Sequence, residues 1–276
     1  MLTPDHSDYP GSAHHRRVLR AIVDYYAADA RVRAVALFGS LARGDWQDAS
    51  DLDLDIVVTD GVTLEPVGEL TRLCDALGAI GERAAVIVAS GADAGDVVLA
   101  SLLEFSIRYH PLAVTSPNIV ETLQVLWARD DGAGALDSDA IRAAGRAQAL
   151  TPQPTPDELI ARCIRYALEV DVSLRRGRLW LAIELLHRLR TLLMEMFART
   201  HGGSRTQQTF EAQASAALQA RLGATLPVYA PDSIHAALDH ALDVLERDLD
   251  DLSAGQARLT DAQRAIVRQL RARQVR

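Results

Sequence analysis

The sequence predicts an α/β (α+β) domain followed by an all-helical one, and three observations carry that expectation. Short apolar runs rich in valine and isoleucine alternate with amphipathic stretches through the first half of the chain, as a mixed sheet with helices packed on it requires. A group of breakers, Gly132, Gly134, Pro152, Pro154 and Pro156, then interrupts regular structure. Beyond them apolar residues recur at spacings of three and four, the pattern of a helical bundle. The expected organisation is a first domain over 1–130, a linker over 131–156 and a helical domain over 157–276.

In chain order, a helix is expected over 14–28, where Val18, Ile22, Val23 and Tyr26 share one side, with His14 and His15 on its exposed start. An apolar strand over 32–38 ends in Gly39-Ser40, and a polar stretch over 41–50 leads to a second strand over 51–59. A helix over 64–77, a strand over 83–89, a helix over 94–104, a strand over 106–114 and a helix over 118–128 complete the first half. The second half reads as helices over 157–175, 179–199, 207–222, 233–252 and 260–273. The helix over 179–199, with Leu185, Leu186, Leu189, Leu192, Leu193 and Met196, is core rather than a cofactor box, and His187 on it reads as a packed or solvent-edge histidine.

Composition narrows the function classes. The 276 residues carry 37 acidic against 29 basic side chains, a formal charge of −8, and every basic residue is arginine. A net negative surface disfavours non-specific binding to a phosphate backbone, and 5% aromatic residues leave little for base stacking. With 49% apolar and 24% charged residues the chain is of globular type. Cys74 and Cys163 are too few for a disulfide framework or metal cluster and read as buried thiols in a reducing compartment. The start of the chain lacks the apolar core of a secretory signal, and no uncharged run reaches membrane-spanning length, so a soluble, cytoplasmic protein is expected.

The chemistry concentrates in Leu37-Phe38-Gly39-Ser40 and, ten residues on, Asp51-Leu52-Asp53-Leu54-Asp55. A glycine closing a buried strand lets backbone approach a ligand, and following N–H groups with the Ser40 hydroxyl can donate to phosphate oxygens. Arg43 can add a charge-assisted contact. Alternation along a strand puts Asp51, Asp53 and Asp55 on one face and Leu52, Leu54 and Ile56 on the other. Adjacent carboxylates repel unless a cation holds them, and Mg²⁺ takes such oxygens together with phosphates. Aspartate is depleted in strands, so the bland alternative of a solvated strand face is the weaker one. Trp46, between the two elements, either stacks on a base or sugar or packs locally.

Gly39-Ser40, ten residues, Asp51-Leu52-Asp53 resembles the signature of the DNA polymerase beta-like nucleotidyltransferase superfamily. With an all-helical second half, the chain is most similar to its antibiotic-modifying branch, the kanamycin and lincosamide nucleotidyltransferases. The resemblance implies that Ser40 contacts nucleotide phosphate and that Asp51 and Asp53 hold Mg²⁺. The superfamily usually supplies a third carboxylate from a later strand. The expected counterpart, Arg83-Ala84-Ala85-Val86-Ile87-Val88, has alanines instead. Glu82 at that strand's edge or Asp55 could substitute, whereas Glu104 reads as closing a helix.

In the helical half, Ile160, Ile164, Ala167 and Leu174 form an apolar stripe on which Asp171 falls, with Arg175 one turn on. This spacing resembles the general base and basic residue of the kanamycin branch; a structural ion pair is the alternative. Glu169 lies on the opposite, solvated side. The expectation is therefore a Mg²⁺-dependent enzyme moving a nucleoside monophosphate, AMP from ATP, to a hydroxyl of a small acceptor such as an aminoglycoside, with release of pyrophosphate. Its expected site is Asp51, Asp53 and Asp171 for catalysis and metal, and Gly39, Ser40, Arg43 and Ser50 for the nucleotide. No nucleic acid and no membrane are expected as partners, and a homodimer is left open. The competing class is a non-catalytic nucleotide-binding or antitoxin-like interaction module.

Overall fold

The computed structural model describes residues 9–116, 122–130, 135–148, 153–203 and 205–274, and the chain divides into two units, 1–151 and 152–276. Helix α1 (Ala13–Ala27) leads into strand β1 (Val32–Phe38), a short helix α2 (Gly39–Arg43) and strand β2 (Leu52–Val58). Helix α3 (Pro66–Leu77), strands β3 (Ala84–Ala89), β4 (Ala94–Leu99), β5 (Glu104–Pro111) and β6 (Gln124–Ala128), and helix α4 (Ser138–Arg146) follow.

The six strands form one sheet in the order β3-β4-β5-β2-β1-β6. β2 and β5 run parallel, and the other neighbours are antiparallel. One face is sealed: Leu52, Leu54 and Ile56 of β2, Phe105 and Ile107 of β5, and Val35 and Leu37 of β1 pack with Val18, Leu19, Ile22 and Val23 of α1 and Leu70 and Leu73 of α3. Each such side chain, fully buried, contributes about 1.5–3 kcal/mol. On the other face, Ala34, Ala36 and Val57 meet Leu123, which precedes β6, and Ile141 of α4. Towards β3 the residues of this face are more exposed, with Asp96, Val98, Ser106 and Arg108 half-buried and Glu104 exposed.

Several expected elements are corrected. The helix expected over 94–104 is the strand β4, a turn at Ala100–Leu103 and the start of β5. Gly95, Val97 and Leu99 are buried in alternation, and a Cβ at Gly95 would sit 2.6 Å from Leu70 Cδ1 and 2.9 Å from the Val88 carbonyl oxygen. A glycine demanded by close approach of α3 to the strand was the signal missed. The helix expected over 118–128 is replaced at its end by β6; Asn118 to Glu121 lie outside the described residues. Within the stretch 131–156, α4 forms because Asp137 accepts the Ala140 N–H at its start and Ile141 finds a buried place.

The second unit is helical throughout its described elements: α5 (Pro156–Arg175), α6 (Leu179–Thr200), α7 (Thr206–Gln213), α8 (Ala216–Gly223), α9 (Pro231–Arg247), α10 (Leu249–Ser253) and α11 (Asp261–Gln274). Thr155 and Glu158 form a capping box on α5 with Pro156 in its first turn. The helix expected over 207–222 is broken at Ala214, where Ser215 caps α8 through the Leu218 N–H. The one expected over 233–252 breaks at Asp248, whose carboxylate is held by Arg221. A shared core of Leu159, Ile164, Leu186, Leu189, Leu193, Leu238, Leu242 and Leu245 joins α5, α6 and α9. Both cysteines are buried and free; burial pushes the Cys74 thiol up to about 11 and that of Cys163 further. Among the described residues, no helix is long and apolar enough to cross a membrane.

Candidate nucleotide and metal site

The signature segment folds as β1, α2, a loop and β2, and the register pairs Phe38 with Asp53. Gly39 therefore starts α2 beside the second aspartate, with φ of +74°, in the left-handed region that glycine tolerates. A Cβ there would lie 1.9 Å from Asp53 Oδ2, so the carboxylate occupies the space that any other residue's side chain would fill. The first N–H groups of α2 lack intrahelical acceptors. Next to them the Ser40 hydroxyl oxygen is buried with no hydrogen-bond partner among the described residues, at a cost in free energy that a ligand could relieve. Arg43 pairs with Asp45, its Nε donating at 3.1 Å.

The loop after α2 is pinned from α1. Ser50 Oγ accepts the Gln47 N–H at 2.9 Å. The Ser50 carbonyl accepts from His15 Nε2 at 2.9 Å, because His15 Nδ1 is itself an acceptor for the Ser12 N–H. Contrary to expectation His15 is buried, 1% exposed, and Trp46 packs edge-on against it with centroids 6.1 Å apart. Ser50 thus shapes the loop. His14, expected to be exposed, is half-buried and pairs with Glu82 at 2.8 Å.

The three same-face aspartates of β2 differ sharply. Asp51 is exposed and Asp53 half-buried, whereas Asp55 is fully buried. Arg108 Nη2 donates to Asp55 Oδ1 at 2.7 Å, and His110 Nε2 lies 2.6 Å from Asp55 Oδ2. The other ring nitrogen of His110 faces the Pro111 carbonyl oxygen at 2.9 Å. Both ring nitrogens of His110 thus lie within hydrogen-bond distance of an oxygen. Asp55 is consumed by this network and does not serve as a substitute third acid.

Glu82 is excluded as well. It is buried and accepts from His14, Arg17 and Ser101. Burial pushes its carboxyl up, but those three donors outweigh it and hold the group below the usual range. The alanine strand β3 lies at the far edge of the sheet, separated from β2 by β4 and β5, so its lack of acids has no bearing on the pair. The neighbour of β2 is β5, where Asp53 pairs with Ser106 and Leu52 with Phe105. Continuing that register sets Glu104 beside Asp51. Glu104 opens a strand instead of closing a helix, and only the parallel β2–β5 pairing reveals its place.

Among the described residues no three His, Cys, Asp or Glu side chains converge to hold a metal ion by themselves. Carboxylates at Asp51 and Asp53 are of the chemical type that could hold a hard divalent cation whose shell is completed by phosphate oxygens. In the second unit Asp171 is buried, 2% exposed, on the apolar side of α5, and its carboxylate is held by Arg175, whose Nε donates at 3.3 Å. Glu169 pairs with Arg165 on the outer side. His187 is exposed and accepts from Arg190 Nη2 at 3.1 Å.

Residues 20–92 match the family described as Polymerase beta, Nucleotidyltransferase. Among solved structures, the chain is similar to an aminoglycoside 6-adenyltransferase from Bacillus subtilis at 14% identity, over 92% of this chain and 96% of that one, with a TM-score of 0.40. It is similar at 14% identity to a nucleotidyltransferase-like protein from Exiguobacterium sibiricum, over 93% and 87% of the two chains, with a TM-score of 0.38. A cytoplasmic RNA terminal U-transferase is similar at 12% identity, over 88% and 69%, with a TM-score of 0.28. No curated protein matches the chain.

Proposed function

We propose that this chain, whose residues 20–92 carry a polymerase beta nucleotidyltransferase domain, transfers AMP from ATP to a hydroxyl of a small acceptor and releases pyrophosphate. The observation that carries the reading is the seating of the Asp53 carboxylate in the space left by Gly39, beside the unpartnered Ser40 hydroxyl. Asp51 and Asp53, with Glu104 beside them, would hold Mg²⁺. That ion supplies positive charge against the triphosphate and the departing pyrophosphate. Ser40 donates to a phosphate oxygen, and Arg43, drawn from Asp45, adds a charge-assisted bond. Asp171 takes the proton of the acceptor hydroxyl, with Arg175 fixing the orientation of its carboxylate.

The more exposed sheet face carries Asp51, Asp53, Asp96 and Glu104, which suits a cationic acceptor such as an aminoglycoside. The reading places the enzyme in the cytoplasm, where its two thiols stay reduced. Pyrophosphate release from ATP and Mg²⁺ across a panel of aminoglycosides tests the proposal. Asp53→Asn is expected to lower turnover about 10²–10³-fold with thermal melting unchanged. Asp171→Ala is expected to lower turnover while ATP affinity is retained. Nucleotide binding without release across the whole panel would identify a non-catalytic module instead.

A further inference from the structure

Among the described residues, strand β3 ends the sheet, pairing with β4 on one side and with no strand on the other. The alternate N–H and C=O groups along that free side are a template for another strand. Natural edges are normally blunted by charge, proline or a covering element. β3 reads Ala-Ala-Val-Ile-Val-Ala, without charge or proline, and its one irregularity is a register shift between Ala84 and Val86. Ala85, Val86, Val88 and Ala89 are exposed, Val86 at 49% and Val88 at 48%. The opposite edge is treated differently: just beyond β6, Arg129 folds back onto the carbonyls of Ala27, Asp29 and Val32.

The edge is also self-complementary. Read about Ile87, the strand is symmetric, with Val86 matching Val88 and Ala85 matching Ala89. Antiparallel pairing of two copies about that residue sets valine opposite valine and alanine opposite alanine across the junction. It also brings Arg83, at the start of one strand, against the 90–93 turn of the other, which carries Asp93. Arg83 and Asp93 are both exposed, and neither has a charged partner among the described residues. The pairing would create two such ion pairs, one at each end.

We propose that β3 is a homodimer interface, in which two copies of the chain join edge to edge about a twofold axis at Ile87 into one twelve-stranded sheet. A closed, isologous contact of this kind stops at two copies. Six residues a side bury less than a standard interface of about 1,600 Å², so the dimer is concentration-dependent.

Sedimentation velocity of the full chain over a concentration series tests this. Wild type is expected to pass from monomer to dimer. Val88→Lys is expected to raise the dissociation constant about tenfold or more, as a charge on an edge does. Arg83→Asp and Asp93→Arg are each expected to weaken the dimer about threefold to tenfold, and the double exchange to restore it. Circular dichroism of each variant identifies any that fails to fold, and the charge-exchange set, on exposed side chains, keeps the test decisive. A monomer at every concentration, a dimer indifferent to all these substitutions, or growth beyond two copies would overturn the proposal.

Discussion

Asp51, just before β2, and Asp53, near its start, belong to the same strand face as Asp55 at its centre, yet their surroundings are opposite. Asp51 is exposed and Asp53 half-buried, and in the proposed reading these two meet the cation. Asp55, opposite Ala36 of β1, is fully buried, and its two oxygens are taken by Arg108 and His110. Alternation fixes which way a side chain points, but cover and counter-charge decide whether it binds, stabilises or does both. The inner aspartate is structural, while the outer two carry the proposed ligand role.

The sharpest way to break that contrast is to remove the inner carboxylate. Asp55→Ala leaves Arg108 and His110 without their anion and is expected to cost about 3–5 kcal/mol, read as a fall in melting temperature. Asp51→Asn should stay within about 0.5 kcal/mol of wild type; an equal loss at both positions would erase the distinction. Gly39→Ala meets both a positive φ and the Asp53 carboxylate. It should cost about 1–3 kcal/mol of stability and displace Asp53, so pyrophosphate release falls with it. Glu104→Gln is expected to weaken apparent Mg²⁺ affinity about 10–100-fold, partly recovered at high Mg²⁺, whereas Glu82→Gln leaves the Mg²⁺ dependence unchanged.

The smallest effect concerns acid. The folded Glu82 carboxyl ionises more readily than in the unfolded chain, so its contribution is complete above the unfolded value near 4.5 and is lost as pH falls through the lower, folded one. Glu82→Gln should therefore be less stable than wild type at neutral pH and converge on it under strong acid, as urea titrations at several pH values would record.

Much of this was legible in the sequence because it depends on near neighbours in the chain. The limits of β1, the amphipathic face of α1, the glycine-serine turn and the outward acids of β2 all follow from local pattern. What escaped depends on distant partners. Gly95 is a strand residue because α3 comes close, His15 is buried because the loop at Ser50 needs its nitrogen, and Asp55 is sealed by residues more than 50 positions later. Glu104 takes its place through parallel pairing, which no local pattern specifies.

That parallel pairing has a consequence during synthesis. β1 and β2 can form their antiparallel ladder as soon as both have left the ribosome, but β5 follows only after some fifty further residues. A nascent chain that has exposed the full glycine-serine and aspartate signature still lacks the strand that brings Glu104 alongside and supplies Arg108 and His110 to Asp55. Until β5 docks, Asp55 lacks both Arg108 and His110, so the acidic edge cannot be complete before that strand is made.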